Sequence, residues 1–315
     1  MFIKRFPKTA CNSIHLFSRK INLAGVFPPI VTPFNDKEDL DLEKLKENVS
    51  IWKNKGFKGY TVLGSNGEFP YLSLEEKIKI VQTVKEEDPA KPILVGAGHE
   101  STKVTKDYVS TLARAGGSAA LIYSPCFYKG SMTATAYFQH YLQIAEDSPI
   151  PVIMYNVPAN TGIDIPIETI ISLAEHENIV GVKESGGNVV RIGTLAHLTK
   201  HLDFQIIAGS ASFMLPAYSV GAVGTVAALA NVMGEEVVAL HDAIMAKKDC
   251  MGLQHKLIEP NIAVTSGFGI AGLKFVCDNV GLYGGPCRSP LQPLTTEQKS
   301  QISTVMAKVG IYCTL

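Results

Sequence analysis

Short, continuous apolar segments alternate along the chain with amphipathic segments of helical period. Segments such as PILVGAG and PVIMYNVP lack polar/apolar alternation, which predicts strands buried on both faces, as in a parallel sheet. Ahead of one amphipathic segment, Ser73 and Glu76 have the spacing of a capping box, which predicts the start of a helix. Eight strands are predicted in this way, at residues 25–34, 60–64, 93–97, 120–124, 152–156, 180–184, 205–208 and 225–229.

The number and order of these elements predict an α/β fold, namely a (β/α)8 TIM barrel. A doubly wound open sheet is the alternative, since periodicity alone does not distinguish the two. The barrel is favoured because polar residues stand where strands end, and barrel active sites collect at that rim. These residues are Ser65, Tyr155, Lys183 and Ser210. After residue 249 the pattern changes to helices at 250–259, 262–280 and 296–309, which predicts a C-terminal helical extension over residues 250–315.

The amino terminus differs in charge from the rest of the chain. Lys plus Arg and Asp plus Glu are both 29, and this balance argues against a general nucleic-acid binder. Residues 1–22 nevertheless hold five bases, several hydroxyls and no acid, which is typical of a mitochondrial transit peptide. A basic arm on a cytosolic protein is the alternative. We therefore expect a catalytic barrel at residues 23–249 in the mitochondrial matrix. Because the apolar runs are too short to span a bilayer, no membrane association is expected.

Several apparent motifs do not indicate a metal or cofactor site. The six cysteines are scattered without C-x-x-C spacing, which predicts reduced thiols instead of disulfides or a zinc site. His197 and His201 are spaced i, i+4 but lack a third ligand, so exposure is favoured over metal binding. Gly267, Gly269 and Gly272 match a dinucleotide-binding pattern, but no strand precedes them, and this interpretation is rejected.

Lys183 and Tyr155 are the first candidates for chemistry. Burial of a lysine favours its neutral form, and a neutral amine can attack a carbonyl carbon. The alternative is a lysine whose ammonium group reaches solvent. Tyr155 ends the preceding strand and can shuttle protons, or it is a core tyrosine with a satisfied hydroxyl. The GSNGE turn at residues 64–68 can direct backbone N–H groups at an anion, or it is purely structural. Thr32 ends the first strand near the same rim.

Together these motifs resemble the dihydrodipicolinate synthase/N-acetylneuraminate lyase family of Schiff-base aldolases, over about residues 23–312. The matching motifs are GSNGE, YNVP and GVKES. Within the family, the segments SPCFYKG, VPANTG, KESGG, LIEPN and YGGPCR are most similar to the mitochondrial 4-hydroxy-2-oxoglutarate aldolases. The resemblance implies retro-aldol cleavage of 4-hydroxy-2-oxoglutarate to pyruvate and glyoxylate. It also implies a homotetramer, built from dimers, that needs no metal or organic cofactor.

The resemblance further implies a role for each motif residue. Lys183 would form an imine with the 2-keto carbon of the substrate, and Tyr155 would relay protons. Ser65 would take part in this catalysis and, with Asn66, would hold the pyruvyl carboxylate. The remaining residues expected to line the substrate pocket are Ser185 and Gly209.

Two positions depart from the family pattern. Asn160 stands where dihydrodipicolinate synthases carry an arginine that binds a substrate carboxylate, and it cannot form that bidentate charged pair. This argues against a role in lysine biosynthesis. Phe127 stands where family members place a tyrosine that reaches across a subunit interface. Tyr128 or a water would then supply the relay hydroxyl, unless the alignment is shifted by one residue. The alternative functions are another pyruvate-forming lyase, acting on N-acetylneuraminate or a sugar-derived keto acid, and a catalytically silent keto-acid-binding protein.

Overall fold

The computed structural model describes residues 21–314, so nearly all of the predicted transit peptide at 1–22 lies outside the described residues. Seven parallel strands form one curled sheet, in which each strand pairs with the next along the chain. The strands are β1 (Tyr60–Val62), β2 (Ile93–Gly96), β3 (Ala119–Tyr123), β4 (Val152–Asn156), β5 (Ile179–Glu184), β6 (Gln205–Ala208) and β7 (Gly224–Thr225).

The segment at residues 25–30 joins the two edges of this sheet. The N–H of Phe27 donates to the carbonyl of Thr225 at 2.9 Å on one side, and the N–H of Ile30 donates to the carbonyl of Thr61 at 3.0 Å on the other. Only isolated bridges form because the two residues between them are prolines, which have no N–H to continue a ladder. The strand predicted at 25–34 therefore occupies its expected place without regular strand structure.

The last predicted strand is also shorter than expected. It was predicted over 225–229, but β7 ends at Thr225 and a 3₁₀ turn follows at Ala228–Asn231. The side-chain amide of Asn231 donates to the carbonyl of Pro29 at 3.0 Å, so this turn is tied to the joining segment instead of extending the strand. The other predicted strands agree with the structure within two residues.

Helices follow the strands, and the capping box at Ser73 and Glu76 starts one of them. The nine helices between residues 42 and 245 are α1 (Leu42–Trp52), α2 (Leu74–Glu87), α3 (Thr102–Arg114), α4 (Ala134–Asp147), α5 (Pro158–Thr161), α6 (Ile167–Leu173), α7 (Val189–Thr199), α8 (Met214–Ser219) and α9 (Gly234–Met245). Of these, the four-residue α5 was not predicted. No helix within residues 21–314 is long and apolar enough to cross a bilayer, and the five described cysteines are free thiols.

Both faces of the strands are buried, which explains the continuous apolar runs in the sequence. In β2, Leu94 packs in the inner cluster with Phe27 and Ile153, whereas Ile93 and Val95 pack in the outer layer that includes the helices. Side chains alternate between the faces of a strand, so both layers need apolar residues. At the carboxyl end of β4 this inner cluster also includes a tyrosine, described below.

Three further helices follow α9: α10 (Met251–Ile262), α11 (Gly269–Asp278) and α12 (Thr296–Ala307), with a π-helical turn at Ala263–Gly267 between the first two. Helix α10 lies against the carboxyl end of the sheet. The side chain of Gln254 donates to the carbonyl of Ala211 at 2.9 Å and accepts from the N–H of Leu215 at 2.7 Å. Helix α10 is therefore tied to the turn that follows β6 at this end of the sheet.

Candidate active site

Lys183 and Tyr155 are direct cross-strand partners at the carboxyl ends of β5 and β4. The ammonium nitrogen of Lys183 lies 4.0 Å from the centre of the Tyr155 ring. Only 4% of Lys183 and 7% of Tyr155 are exposed. The two residues that the sequence singled out separately are thus one buried pair, held together by the register of two parallel strands.

The GSNGE turn completes this pair with a hydroxyl. Ser65 begins a 3₁₀ turn, Ser65–Gly67, after β1, and its Oγ lies 3.4 Å from the Oη of Tyr155. The hydroxyl of Thr32 donates to the carbonyl of Gly67 at 2.8 Å and holds the turn from below. The phenol of Tyr155 therefore lies between the amine of Lys183 and the hydroxyl of Ser65 and contacts both.

The surroundings of Tyr155 lower the pKa of its phenol below the usual value of 10.0. Burial acts in the opposite direction, because it penalises the charged phenolate. The positive charge of Lys183 and the hydrogen bond with Ser65 outweigh this penalty. A phenol whose pKa is lowered towards neutral pH exchanges its proton more readily, which suits it to proton transfer.

The backbone on both sides of the turn is strained. Leu63 and Glu68 have φ angles of 60° and 55°, in the left-handed region that residues other than glycine rarely adopt. Such conformations cost about 1–3 kcal/mol each and persist where the surroundings enforce them. Here the buried carboxylate of Glu68 is paired with Lys274 of α11 at 2.6 Å and accepts the backbone N–H of Arg288 at 2.8 Å. These contacts fix the turn that carries Ser65.

A separate polar network on the outer face of β4 and β5 fixes the strands themselves. The side-chain amide of Asn156 donates to both carboxylate oxygens of Glu184, at 2.8 and 3.0 Å. Arg191 of α7 donates to the same carboxylate at 2.8 Å. Asn156 and Glu184 are the cross-strand pair next to Tyr155 and Lys183. The network therefore locks the register that places the amine beside the phenol.

A cavity of about 510 Å³ opens above Lys183. The predicted substrate-binding residues Ser65, Asn66, Ser185 and Gly209 all line it. A side chain at position 209 would place its Cβ 1.9 Å from the Oγ of Ser185, so only glycine fits there. Asn160 also lines this cavity, and Lys183 is the one cationic side chain in the lining contributed by residues 21–314.

Phe127 and Tyr128 lie outside this cavity, with 77% and 72% of their surfaces exposed. The backbone N–H of Phe127 donates to the carboxylate of Glu100 at 2.9 Å. Glu100 lines a second cavity of about 590 Å³, which shares Ser65 and Tyr155 with the first. Within the described part of one chain, neither ring contacts the site, and a relay from a neighbouring subunit stays a prediction.

The C-terminal helices contribute a wall of the site that was not predicted from the sequence. Asn261 at the end of α10 and Thr265 and Ser266 of the π-helical turn line the cavity with Lys183. The available signal in the sequence was Asn261 in the segment LIEPN, which stands shortly before the glycines at 267, 269 and 272. Gly267 ends the π-helical turn, and Gly269 and Gly272 lie in α11, with no strand before them, as expected when the dinucleotide interpretation was rejected.

His197 and His201 are exposed, as predicted. The structure places no group of three or more histidine, cysteine or acidic side chains in metal-binding proximity anywhere in residues 21–314. At the site itself, an amine, a phenol and a hydroxyl lie together, and these groups suit nucleophilic and acid–base chemistry. A buried amine can condense with a ketone, and the adjoining phenol and hydroxyl can carry protons to and from the adduct.

Comparison with known proteins places this geometry in a wider group. The model of the dihydrodipicolinate synthetase family matches residues 22–309. An uncharacterized DapA-like lyase of Halobacterium salinarum is 32% identical over 294 residues, which are 92% of this chain and 95% of the relative. The 4-hydroxy-tetrahydrodipicolinate synthase of Methanothrix thermoacetophila is 31% identical over 288 residues, covering 91% and 97% of the two chains.

Two solved structures are similar to this chain over nearly its whole length. Dihydrodipicolinate synthase DapA-2 of Bacillus anthracis has a TM-score of 0.87 and 29% identity, over 91% of this chain and 99% of that one. The dihydrodipicolinate synthase of Acinetobacter baumannii, solved with pyruvate, has a TM-score of 0.87 and 26% identity, over 92% and 100% of the chains.

Proposed function

The chain belongs to the dihydrodipicolinate synthetase family, and we propose that it is a Schiff-base aldolase that cleaves 4-hydroxy-2-oxoglutarate to pyruvate and glyoxylate. The observation that carries the chemistry is the position of Lys183. Its amine is buried, has no carboxylate partner among residues 21–314, and lies 4.0 Å from the ring centre of Tyr155, whose hydroxyl reaches Ser65.

The proposed reaction begins when the amine of Lys183 attacks the 2-keto carbon and water leaves, forming an imine. The protonated imine withdraws electrons from the neighbouring bonds. Tyr155 takes the proton of the C4 hydroxyl, the C3–C4 bond breaks, and glyoxylate leaves. The electron pair of that bond forms an enamine, which accepts a proton at C3. Water then hydrolyses the imine and releases pyruvate, so the water lost in the first step is regained. No metal or organic cofactor enters any step.

The choice of 4-hydroxy-2-oxoglutarate as substrate rests on the resemblance of the segments SPCFYKG, VPANTG and YGGPCR to the mitochondrial aldolases. Asn160 lies in the lining at the position where the resemblance to dihydrodipicolinate synthases predicts an arginine. Without that arginine, the bidentate charged contact that it would make with a substrate carboxylate is lost, which argues against lysine biosynthesis. The name of the relative from Methanothrix thermoacetophila makes 4-hydroxy-tetrahydrodipicolinate synthesis the second candidate function. A lyase for N-acetylneuraminate or another sugar-derived keto acid, and a silent binding protein, are the remaining candidates.

Reductive trapping tests this proposal. The protein is incubated with pyruvate and borohydride, and the adduct is located by peptide mass spectrometry, with Lys183→Ala as the control. We expect a pyruvyl adduct on Lys183 alone. Release of pyruvate is then compared for 4-hydroxy-2-oxoglutarate and N-acetylneuraminate, next to condensation of pyruvate with aspartate semialdehyde. An adduct without cleavage of 4-hydroxy-2-oxoglutarate overturns the substrate, and the absence of any adduct overturns the mechanism.

The assembly, location and domain limits are part of the same proposal. We expect a homotetramer, which sedimentation analysis would measure, and a mitochondrial matrix location directed by residues 1–22. A fluorescent protein fused to these residues should enter mitochondria, whereas a fusion that starts at residue 23 should not. The barrel would cover residues 23–249 and the helical extension, with α10–α12, residues 250–315.

A further inference from the structure

Ser210 and Ser212, after β6, and Asn261, at the end of α10, form a connected polar group on the wall of the cavity. The mechanism above does not use it. The side-chain amide of Asn261 donates to the Oγ of Ser210 at 2.8 Å. The backbone N–H of Ser212 donates to the same Oγ at 3.3 Å, and the two serine hydroxyl oxygens lie 2.9 Å apart.

A count of donors and acceptors indicates which hydroxyl donates in each hydrogen bond of this group. A serine hydroxyl has one hydrogen to donate and two lone pairs that accept. Both lone pairs of Ser210 receive N–H groups, one from Asn261 and one from Ser212. With Asn261 as a donor, the hydrogen of Ser210 is left to point to the Oγ of Ser212, 2.9 Å away. Ser212 accepts there, and its own hydroxyl hydrogen remains free to donate into the cavity.

The packing of α10 holds this arrangement in place. Asn261 is only 2% exposed, and its backbone carbonyl accepts the hydroxyl of Thr265 at 2.5 Å. About two helix turns earlier along α10, Gln254 binds the carbonyl of Ala211 and the N–H of Leu215, on both sides of Ser212. The turn that presents the Ser212 hydroxyl is thus tied to α10 at three places, so the donor is oriented before any ligand arrives.

We propose that Ser212 donates its hydroxyl hydrogen to the second carboxylate of the substrate, and that Asn261 is a positioning residue that sets this direction through Ser210. The inference rests on the proposed function, in which the substrate carries two carboxylates. Lys183 is the one cation in the described cavity lining, and imine formation engages it. Within this cavity, a second carboxylate would then be bound by neutral donors, and a hydroxyl whose hydrogen is free is such a donor.

Two keto acids that differ only in the distal group test the proposal. Binding of 2-oxoglutarate and of 2-oxopentanoate, which ends in a methyl group, is measured by calorimetry for the wild type, Ser212→Ala and Asn261→Leu. A hydrogen bond to a charged group contributes about 1.5–3 kcal/mol, so affinity for 2-oxoglutarate should fall about 10- to 100-fold. Affinity for 2-oxopentanoate should not change. Ser219→Ala, on the exposed end of α8, is the matched control and should bind both acids like the wild type.

Equal losses for the two acids, or no loss for either, overturn the proposal. Ser212→Ala alone decides the matter if Asn261→Leu fails to fold. Pyruvate trapping on Lys183 should be unchanged in Ser212→Ala, because pyruvate has no second carboxylate. If the wild type prefers 2-oxoglutarate through Ser212 but does not cleave 4-hydroxy-2-oxoglutarate, the proposed reaction fails and the binding role stands.

Discussion

Two buried lysines in this protein, Lys183 at the end of β5 and Lys274 in α11, have different surroundings. Lys274 is 1% exposed, lies 2.6 Å from the carboxylate of Glu68, and donates to the carbonyl of Pro286 at 2.7 Å. Lys183 is almost as buried, but it faces the ring and hydroxyl of Tyr155, with no carboxylate partner in residues 21–314. Burial alone therefore does not mark a reactive lysine. The lack of a countercharge does not suffice either, since Lys77 is 6% exposed and lies over the Tyr108 ring with no ion pair among residues 21–314. Lys183 differs because it shares its cavity with the hydroxyls of Tyr155 and Ser65.

The two lysines nevertheless serve one site. Lys274 holds Glu68 in its left-handed conformation, and Glu68 ends the turn that presents Ser65 to Tyr155. The ion pair thus has a structural effect at a distance from the chemistry, whereas the role proposed for Lys183 is covalent attack. Exchanging each lysine should separate these effects.

The largest effect should follow Lys183→Met. Loss of the nucleophile should lower the rate of 4-hydroxy-2-oxoglutarate cleavage on the order of 10⁴- to 10⁶-fold. The fold should persist, since this change leaves no buried carboxylate without a partner. Cleavage rates and thermal unfolding measured on the same sample check both statements. A variant that keeps a rate near that of the wild type would contradict the assignment.

Lys274→Met should instead destabilise the protein. It leaves the buried Glu68 carboxylate without its countercharge, and the free energy of unfolding should fall by about 3–5 kcal/mol, measured by urea denaturation. The double variant Lys274→Met/Glu68→Gln is the control, because it leaves no uncompensated charge and should recover part of the loss. Equal stability of the single and double variants would show that the ion pair does not matter.

Tyr155→Phe should separate imine formation from bond cleavage. The ring that packs against Lys183 remains, so trapping of pyruvate should persist. Removing the phenol should slow cleavage by about 10²- to 10⁴-fold, the range of a lost acid–base group. Trapping and cleavage are compared in one preparation, and a loss of trapping as large as the loss of cleavage would refute the proton-relay role.

His140 is a further buried side chain, and burial favours its neutral form. Burial lowers the pKa of this histidine from 6.5 to about 4, although Glu100 partly opposes the shift. Between these values the folded state binds fewer protons than the unfolded state. Stability should therefore fall as the pH drops from 6.5 towards about 4, by at most about 3 kcal/mol.

Urea denaturation across this pH range measures the contribution of His140. His140→Leu should flatten the dependence of unfolding free energy on pH, whereas His197→Leu, at an exposed position, should leave it unchanged. The comparison uses the slope with pH, because His140→Leu also loses the hydrogen bond with Thr102 at 2.8 Å. An unchanged slope would show that His140 does not control this titration.

The smallest effect is expected for Phe127→Tyr. The ring is exposed in the single chain, and the variant restores a hydroxyl that the family resemblance leads us to expect. We expect kcat/KM for 4-hydroxy-2-oxoglutarate to stay the same or to rise. A severe loss would be incompatible with a hydroxyl relay at this position.

Much of the fold was predictable because its signals are local. Continuous apolar runs indicated buried parallel strands, and Ser73 with Glu76 marked the start of α2. Tyr155 and Lys183 were predictable as rim residues because both end such strands. The short β7 and the irregular joining segment were not predicted, since a proline pair and the tertiary contact of Asn231 decide their hydrogen bonding.

The sequence by itself determined the strand–helix alternation, the amine, the phenol and the GSNGE turn, because these depend on residue types and short spacings. Only the tertiary structure decided which buried polar groups have partners. Glu68 meets Lys274, and Asn261 meets Ser210, through packing of helices that lie far along the chain from the strands they contact. Residue spacing carries no record of such contacts, since their energy arises only when the chain has folded.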